Sequence, residues 1–289
     1  MTVQEGFIEV TGGKVWYQLH NSDKPNTPVV LLHGGPGSSH WSMQGLSDLA
    51  EDRPVIFYDQ LGCGKSDRPQ DKSLWKIDRF VEELHQIKEA LGLDEFHILG
   101  HSWGTTLAAA YYLTYPEGVK SIIFSSPCLS APMWAKDQAE NRNQLPREVQ
   151  KTLKECEANG TTDSEAYKQA TEVFNKHFVC RLEDEEKPAY LKEGSQNKNE
   201  EVYNIMWGPS EFHVTGNLRN IDFTSKLNTI NIPTLYTCGR YDEATPKSTN
   251  YYSELTPNST FHVFEKSAHM PYIEDPAEYR RVIREFLGE

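Results

Sequence analysis

The sequence predicts an α/β fold, with a mostly parallel central sheet, helices on both faces and an inserted helical cap. Three observations carry that prediction. Short, continuous runs at residues 29–32, 55–59, 121–124 and 232–238 read as strands buried on both faces. Helical stretches separate these runs, and strands that alternate with helices assemble into a parallel sheet covered on both sides. The third is residues 96–112, where an apolar run pivots on Gly100-His101-Ser102-Trp103-Gly104 and continues into an Ala-rich run with no Pro until Pro116. A strand turning sharply into a helix around G-x-S-x-G holds its central Ser on a strained backbone, clear of the sheet.

In chain order, residues 7–20 alternate in polarity around Gly12-Gly13, which predicts an antiparallel hairpin. Val29-Val30-Leu31-Leu32 is the first buried strand and delivers His33-Gly34-Gly35-Pro36-Gly37, followed by a helix to about Ala50. The strand at 55–59 ends in Gln60-Leu61-Gly62-Cys63-Gly64-Lys65-Ser66, and residues 74–92 carry Ile77, Phe80, Val81, Leu84, Ile87 and Leu91 at helical spacing. After the elbow comes the strand at 121–124. Past Pro127 the character changes: residues 128–222 are polar and hold no convincing buried strand. Leu145, Val149, Leu153 and Cys156 mark one helix face there, and Tyr167, Ala170, Phe174 and Phe178 another. Such stripes need something to cover, so this segment is expected to be a helical cap set into a core domain made of residues 1–127 and 223–289. Strands at 232–238 and 260–264 and a helix near 276–287, opened by Asp275-Pro276, complete the core.

Composition narrows the function. A net charge of −13 with no Lys/Arg cluster argues against nucleic acid or an anionic membrane as partner. No stretch approaches the ~20 apolar residues of a membrane span. The five cysteines are scattered without zinc spacing, and Met1-Thr2-Val3-Gln4-Glu5-Gly6 has no secretory character, so a reducing, cytoplasmic setting is expected. Two Asn-X-Thr sequons, at Asn159 and Asn258, are then chance matches. Neither a cofactor nor a metal is expected.

A serine hydroxyl becomes a nucleophile when a base takes its proton and a carboxylate holds that base in the right tautomer. On this kind of sheet the partners follow the nucleophile, acid first and His last. Asp242 comes directly after the strand at 232–238, and His269 sits in the loop after the last strand, so both are expected beside Ser102. Among ten histidines, His269 is read as the base from its position after the last strand, while His97 and His262 fall within strands and His85 and His177 within helices. Gly35, lacking a Cβ, can bring its N–H against a carbonyl oxygen, and the Trp103 N–H at the helix start is the second oxyanion donor. His33 is expected to shape that loop through backbone bonds.

His33-Gly34-Gly35-Pro36-Gly37-Ser38-Ser39-His40, Tyr58-Asp59-Gln60-Leu61-Gly62-Cys63-Gly64-Lys65-Ser66 and the elbow together resemble the proline iminopeptidases, serine aminopeptidases of the α/β-hydrolase fold. The likeness is greatest to the branch with the tricorn-interacting aminopeptidase and the L-amino acid amidases, and it runs over nearly the whole chain. The resemblance implies that two glutamates bind the substrate's free α-ammonium: Glu243, next to the triad Asp, and Glu211, in Gly208-Pro209-Ser210-Glu211-Phe212. It further implies a serine hydrolase that releases an N-terminal residue, proline or another small or apolar one, from short peptides or amino acid amides. An exopeptidase must recognise a chain end, and the cation is its distinguishing feature. Trp134, Tyr203, Trp207 and Phe212 either line the substrate pocket or fill the core of the cap. A monomer is favoured. The same triad would also serve a carboxylesterase or lactonase, or persist in a ligand receptor with little turnover.

Overall fold

A computed structural model describes residues 2–288. The strands and helices follow in the order β1 (Val3–Val10), β2 (Gly13–His20), β3 (Val29–Leu32), β4 (Val55–Tyr58), α1 (Ile77–Ala90), β5 (Phe96–His101), α2 (Trp103–Thr114) and β6 (Val119–Ser125). Then come α3 (Ala131–Arg142), α4 (Arg147–Asn159), α5 (Glu165–Phe178), α6 (Ala189–Gln196) and α7 (Glu200–Met206). The chain closes with β7 (Thr234–Gly239), α8 (Pro246–Leu255), β8 (Ser259–Phe264), α9 (Pro271–Glu274) and α10 (Pro276–Leu287). One eight-stranded sheet runs β1-β2-β4-β3-β5-β6-β7-β8. Its first two pairings, β1 with β2 and β2 with β4, are antiparallel, and the rest are parallel.

Strand periodicity divides the apolar residues between the two faces. Val30, Leu32, Ile56, Ile98, Ile122 and Tyr236 pack with Phe80 and Leu84 of α1 and Leu107 and Tyr111 of α2. Val29, Leu31, Val55, Phe57, Leu99 and Ile123 pack with Met43, Leu46 and Leu49 and with Tyr279, Val282 and Ile283 of α10. The helix α2 is buried on nearly every side, which fits a run of Ala, Leu and Thr with no polar face. Leu145, Leu153, Tyr167, Ala170, Phe174, Phe178 and Phe212 form a third cluster, separate from the two on the sheet.

Some elements depart from the sequence expectation. Residues His40–Glu51 form a 3-10 segment rather than an α-helix. Its buried His40, Met43, Leu46 and Leu49 recur every third residue, and three residues per turn keep them on one face. α1 starts at Ile77 rather than 74, because Asp71 accepts from the Ser73 N–H and closes a short turn at Lys72–Leu74. α8 has no counterpart in the apolar spacing, although Thr245 caps it and Pro246 begins it.

Candidate active site

Three parallel strands, with β6 between the first two, present their following loops at the same edge of the sheet: β5 leads to Ser102, β7 to Asp242 and β8 to His269. Ser102 stands at φ +54°, ψ −122°, a left-handed backbone for a residue with a side chain, at the N-cap of α2. The turn is that sharp because glycines flank it. A Cβ on Gly104 would collide with the Leu32 carbonyl oxygen, and one on Gly100 with the Gly104 carbonyl oxygen.

The imidazole of His269 is held from several directions. Its Nδ1–H donates to Asp242 Oδ1 at 2.7 Å. Its carbonyl oxygen accepts from His101 Nε2 at 2.8 Å and lies 3.1 Å from the Ser126 hydroxyl, and its N–H donates to the Val179 carbonyl. Burial alone would lower the His269 pKa, but the charge and hydrogen bond of Asp242, helped by Glu211 and Glu274, outweigh it and leave the ring above its ordinary value. His101, buried beside it, is pushed down to about 3 by burial and by His269, so it stays neutral. Asp242 itself collects four donors: His269 Nδ1 and the Ala244 N–H on Oδ1, the Ser126 hydroxyl at 2.6 Å and the Gly239 N–H on Oδ2. No such hydrogen bond joins Ser102 Oγ to His269 Nε2; the group within ion-pair reach of Nε2 is Glu243 Oε1, at 3.6 Å.

Gly35 follows β3 with φ +112°, and a Cβ there would stand 2.7 Å from the Gly37 nitrogen. Among the described residues neither the Gly35 nor the Trp103 N–H has a hydrogen-bond acceptor, and both residues line the small cavity into which Ser102 faces. A network behind them fixes the loop. Gln60 donates its backbone N–H to His33 Nε2 and its side-chain amide to the His33 carbonyl, and accepts from the Trp103 indole at 2.8 Å. With Nε2 accepting, the proton of His33 sits on Nδ1 and goes to the Gly34 carbonyl.

The same cavity is lined by Thr106, Cys128, Trp134, Trp207 and Glu211. Trp134 and Trp207 meet edge to face, and both indole N–H groups donate to the Glu211 carbonyl, at 2.8 and 3.4 Å. Tyr203 is buried beside the Glu211 carboxylate, whereas Phe212 turns away into the third cluster, 4.7 Å from Phe174. The four aromatics therefore divide: both tryptophans line the cavity, Tyr203 backs it, and Phe212 is core. Glu243 is fully buried, neither of its carboxyl oxygens has a hydrogen bond, and its backbone is tied to Phe178 and Gln138. Burial first, then the charges of Glu211 and Asp242, push its carboxyl well above the ordinary range.

The site thus gathers Ser102, Asp242, His269, Gly35, Trp103, Glu211 and Glu243. The four histidines that the sequence places in strands and helices lie elsewhere: His97 bonds Ser121, His85 stacks on Tyr115, His177 bonds the Val173 carbonyl, and His262 faces Glu278. Sequence spacing gave no sign of Ser126, Gln138, Cys128 or Glu274. Glu274 accepts from the Ala268 and Arg181 N–H groups and so braces the His269 loop. Among the described residues no group of three His, Cys, Asp or Glu side chains is arranged to hold a metal ion, and no helix is long and apolar enough to cross a membrane.

Comparison with known proteins agrees over the full length. A family model for the alpha/beta hydrolase fold matches residues 27–276. The chain is 65% identical to a proline iminopeptidase of Heyndrickxia coagulans, over 98% of each chain. Among solved structures, VinJ superposes with a TM-score of 0.94 at 33% identity over 98% of both chains. The proline iminopeptidase of Mycobacterium smegmatis gives 0.89 at 33% identity, over 98% of this chain and 97% of that one. The chain belongs to the proline iminopeptidase family of α/β-hydrolase-fold proteins.

Proposed function

We infer that this protein is a serine aminopeptidase that releases an N-terminal residue, proline foremost, from short peptides or amino acid amides through an acyl-enzyme on Ser102. The observation that carries the reading is the meeting of two different constellations at one site: a relay from Asp242 through His269, and two carboxyl groups, Glu211 lining the cavity beside Ser102 and Glu243 fully buried against His269. The relay suits acyl transfer in general, and the carboxyl pair suits an acyl group that bears a cation.

In the proposed reaction His269 Nε2 takes the Ser102 proton as Oγ attacks the carbonyl carbon. The oxyanion forms against the Gly35 and Trp103 N–H groups; losing one such donor typically costs ~10²–10³ in turnover. His269 then returns its proton to the leaving amine, and water hydrolyses the ester by the same relay. The α-ammonium lies between Glu211 and Glu243, and the indoles of Trp134 and Trp207 enclose the first residue's side chain. Residues 128–222 act as the cap that closes this pocket, a reading supported by their separate apolar cluster. The five free cysteines support a reducing, cytoplasmic setting.

The test is a matched set of anilides with free and N-acetylated termini, headed by L-proline and L-alanine. Free-amine substrates should be cleaved at least ~10²-fold faster, with proline leading. Equal rates for both members of each pair would return the protein to the esterase or lactonase reading.

A further inference from the structure

Glu243 is buried completely and hydrogen-bonded to nothing through its carboxyl oxygens, an arrangement that carries a cost unless the group serves a purpose. Its ion-pair partner is the outer nitrogen of His269, the atom that has to receive the nucleophile's proton. The imidazole is therefore flanked by a carboxyl group on each ring nitrogen: Asp242 at 2.7 Å on Nδ1 and Glu243 at 3.6 Å on Nε2. The remaining groups that bear on it are Glu211 and Glu274, both acidic, and the neutral ring of His101, whose centroid is 4.7 Å away.

We propose that in the free enzyme Glu243 engages His269 Nε2 and keeps the catalytic base out of action until a substrate ammonium enters. The amine site then selects substrates by switching the base on as well as by binding them. This rests on the aminopeptidase reading above and adds a step to it.

One proton is shared between two sites. If it sits on Glu243, the O–H faces the Nε2 lone pair; if it sits on Nε2, the imidazolium faces a carboxylate. The second form leaves Nε2 no place for the Ser102 proton, and the first does the same once the O–H closes the 3.6 Å gap onto the lone pair. An entering ammonium places a positive charge between Glu211 and Glu243 and makes both favourable as carboxylates. The same charge disfavours an imidazolium nearby, so the shared proton leaves to solvent and Nε2 becomes a free base. The balance is one ammonium bound and one proton released, with no bond made or broken in the substrate. An acyl group without an amine leaves the proton in place and meets a silent base.

The variant that tests this is Glu243→Met, similar in volume and unable to engage Nε2. Replacing a buried carboxyl that lacks hydrogen bonds by an apolar side chain of similar volume should leave the melting temperature unchanged or higher, so folding is checked directly. Relative to wild type, Glu243→Met should lose at least ~10²-fold on free-amine anilides. It should gain about tenfold on p-nitrophenyl acetate, which carries no amine, as one unit of lifted proton competition allows. Calorimetry of L-prolinamide binding to Ser102→Ala protein, in buffers of different ionisation enthalpy at pH 7, should find about one proton released per amine bound. With Glu243→Met added, any residual binding should release none. An unchanged or lower acetate rate in a folded Glu243→Met enzyme, or amine binding by Ser102→Ala protein without proton release, would overturn the switch. Wild-type enzyme that cleaves N-acetylated and free anilides equally would instead overturn the aminopeptidase reading, a separate outcome.

Discussion

At the carboxyl edge of the sheet, hydrogen bonds fix the reacting groups: Asp242 has four donors, and the His269 backbone is bonded through both its N–H and its carbonyl. The helical region between β6 and β7 works differently. It anchors the Glu211 backbone to two indoles and stands on an apolar cluster of its own, while the Glu211 carboxylate faces the cavity. The contrast follows from the two tasks. A proton relay tolerates errors of a fraction of an ångström, so its geometry is over-determined. A recognition site gains most from polar groups whose bonds are left for the ligand to complete.

The largest effect expected from breaking this contrast is on the helical side. Phe174 is fully buried in the third cluster between Phe178 and Phe212, so Phe174→Ala should cost roughly 3–5 kcal/mol of local stability. Hydrogen exchange should speed up in α4 and α5 while amides of β5 and β6 keep their protection. Uniform loss of protection across both regions would mean that the helices have no core of their own.

Next is recognition. Glu211→Gln keeps the shape and removes the charge, and kcat/KM for free-amine anilides should fall by about 10²-fold, the scale of breaking one buried charge pair. Rates on N-acetylated anilides should stay within about twofold. A parallel fall in both would place Glu211 with the reacting groups rather than with recognition.

These two regions were not equally legible in the sequence. Ser102, Asp242 and His269 can be read from order alone, because strand ends fix where their loops emerge. Glu211 and Glu243 came through family resemblance; nothing in their spacing announces an amine site. Of the helical region, the stripes on α4 and α5 are plain, whereas α3 and α7 carry too little periodicity and owe their form to packing. Ser126 was invisible, because its value lies in a backbone angle of φ +53° that no residue pattern encodes.

The pH dependence sharpens the comparison, with an effect of about tenfold per unit. His269 sits above its ordinary value in the free protein, so the imidazolium persists to higher pH and the competent neutral form appears later. The rising limb of kcat/KM, which reports the free enzyme, should therefore lie above about 6.5. The limb of kcat reports the substrate complex, where the bound ammonium opposes a second cation, and should lie lower. Coincident limbs would show that the amine site and the base do not communicate.

The smallest expected effect concerns Ser126, at the end of β6. Its hydroxyl donates to Asp242 Oδ2 at 2.6 Å, and its left-handed backbone is one that glycine adopts without strain. A residue there for backbone reasons alone would be better replaced by glycine, so Ser126→Gly separates the two roles of the position. The melting temperature should hold or rise, as strain is relieved. kcat should fall by up to about tenfold with KM unchanged, because a hydrogen bond to a charged carboxylate is lost. With one donor fewer, Asp242 concentrates more charge toward His269 and strengthens the imidazolium, so the rising limb should move to higher pH. A more stable variant with wild-type kcat and an unmoved limb would show that the hydroxyl contributes nothing to the relay, and that the sheet edge holds Asp242 tightly enough with three donors.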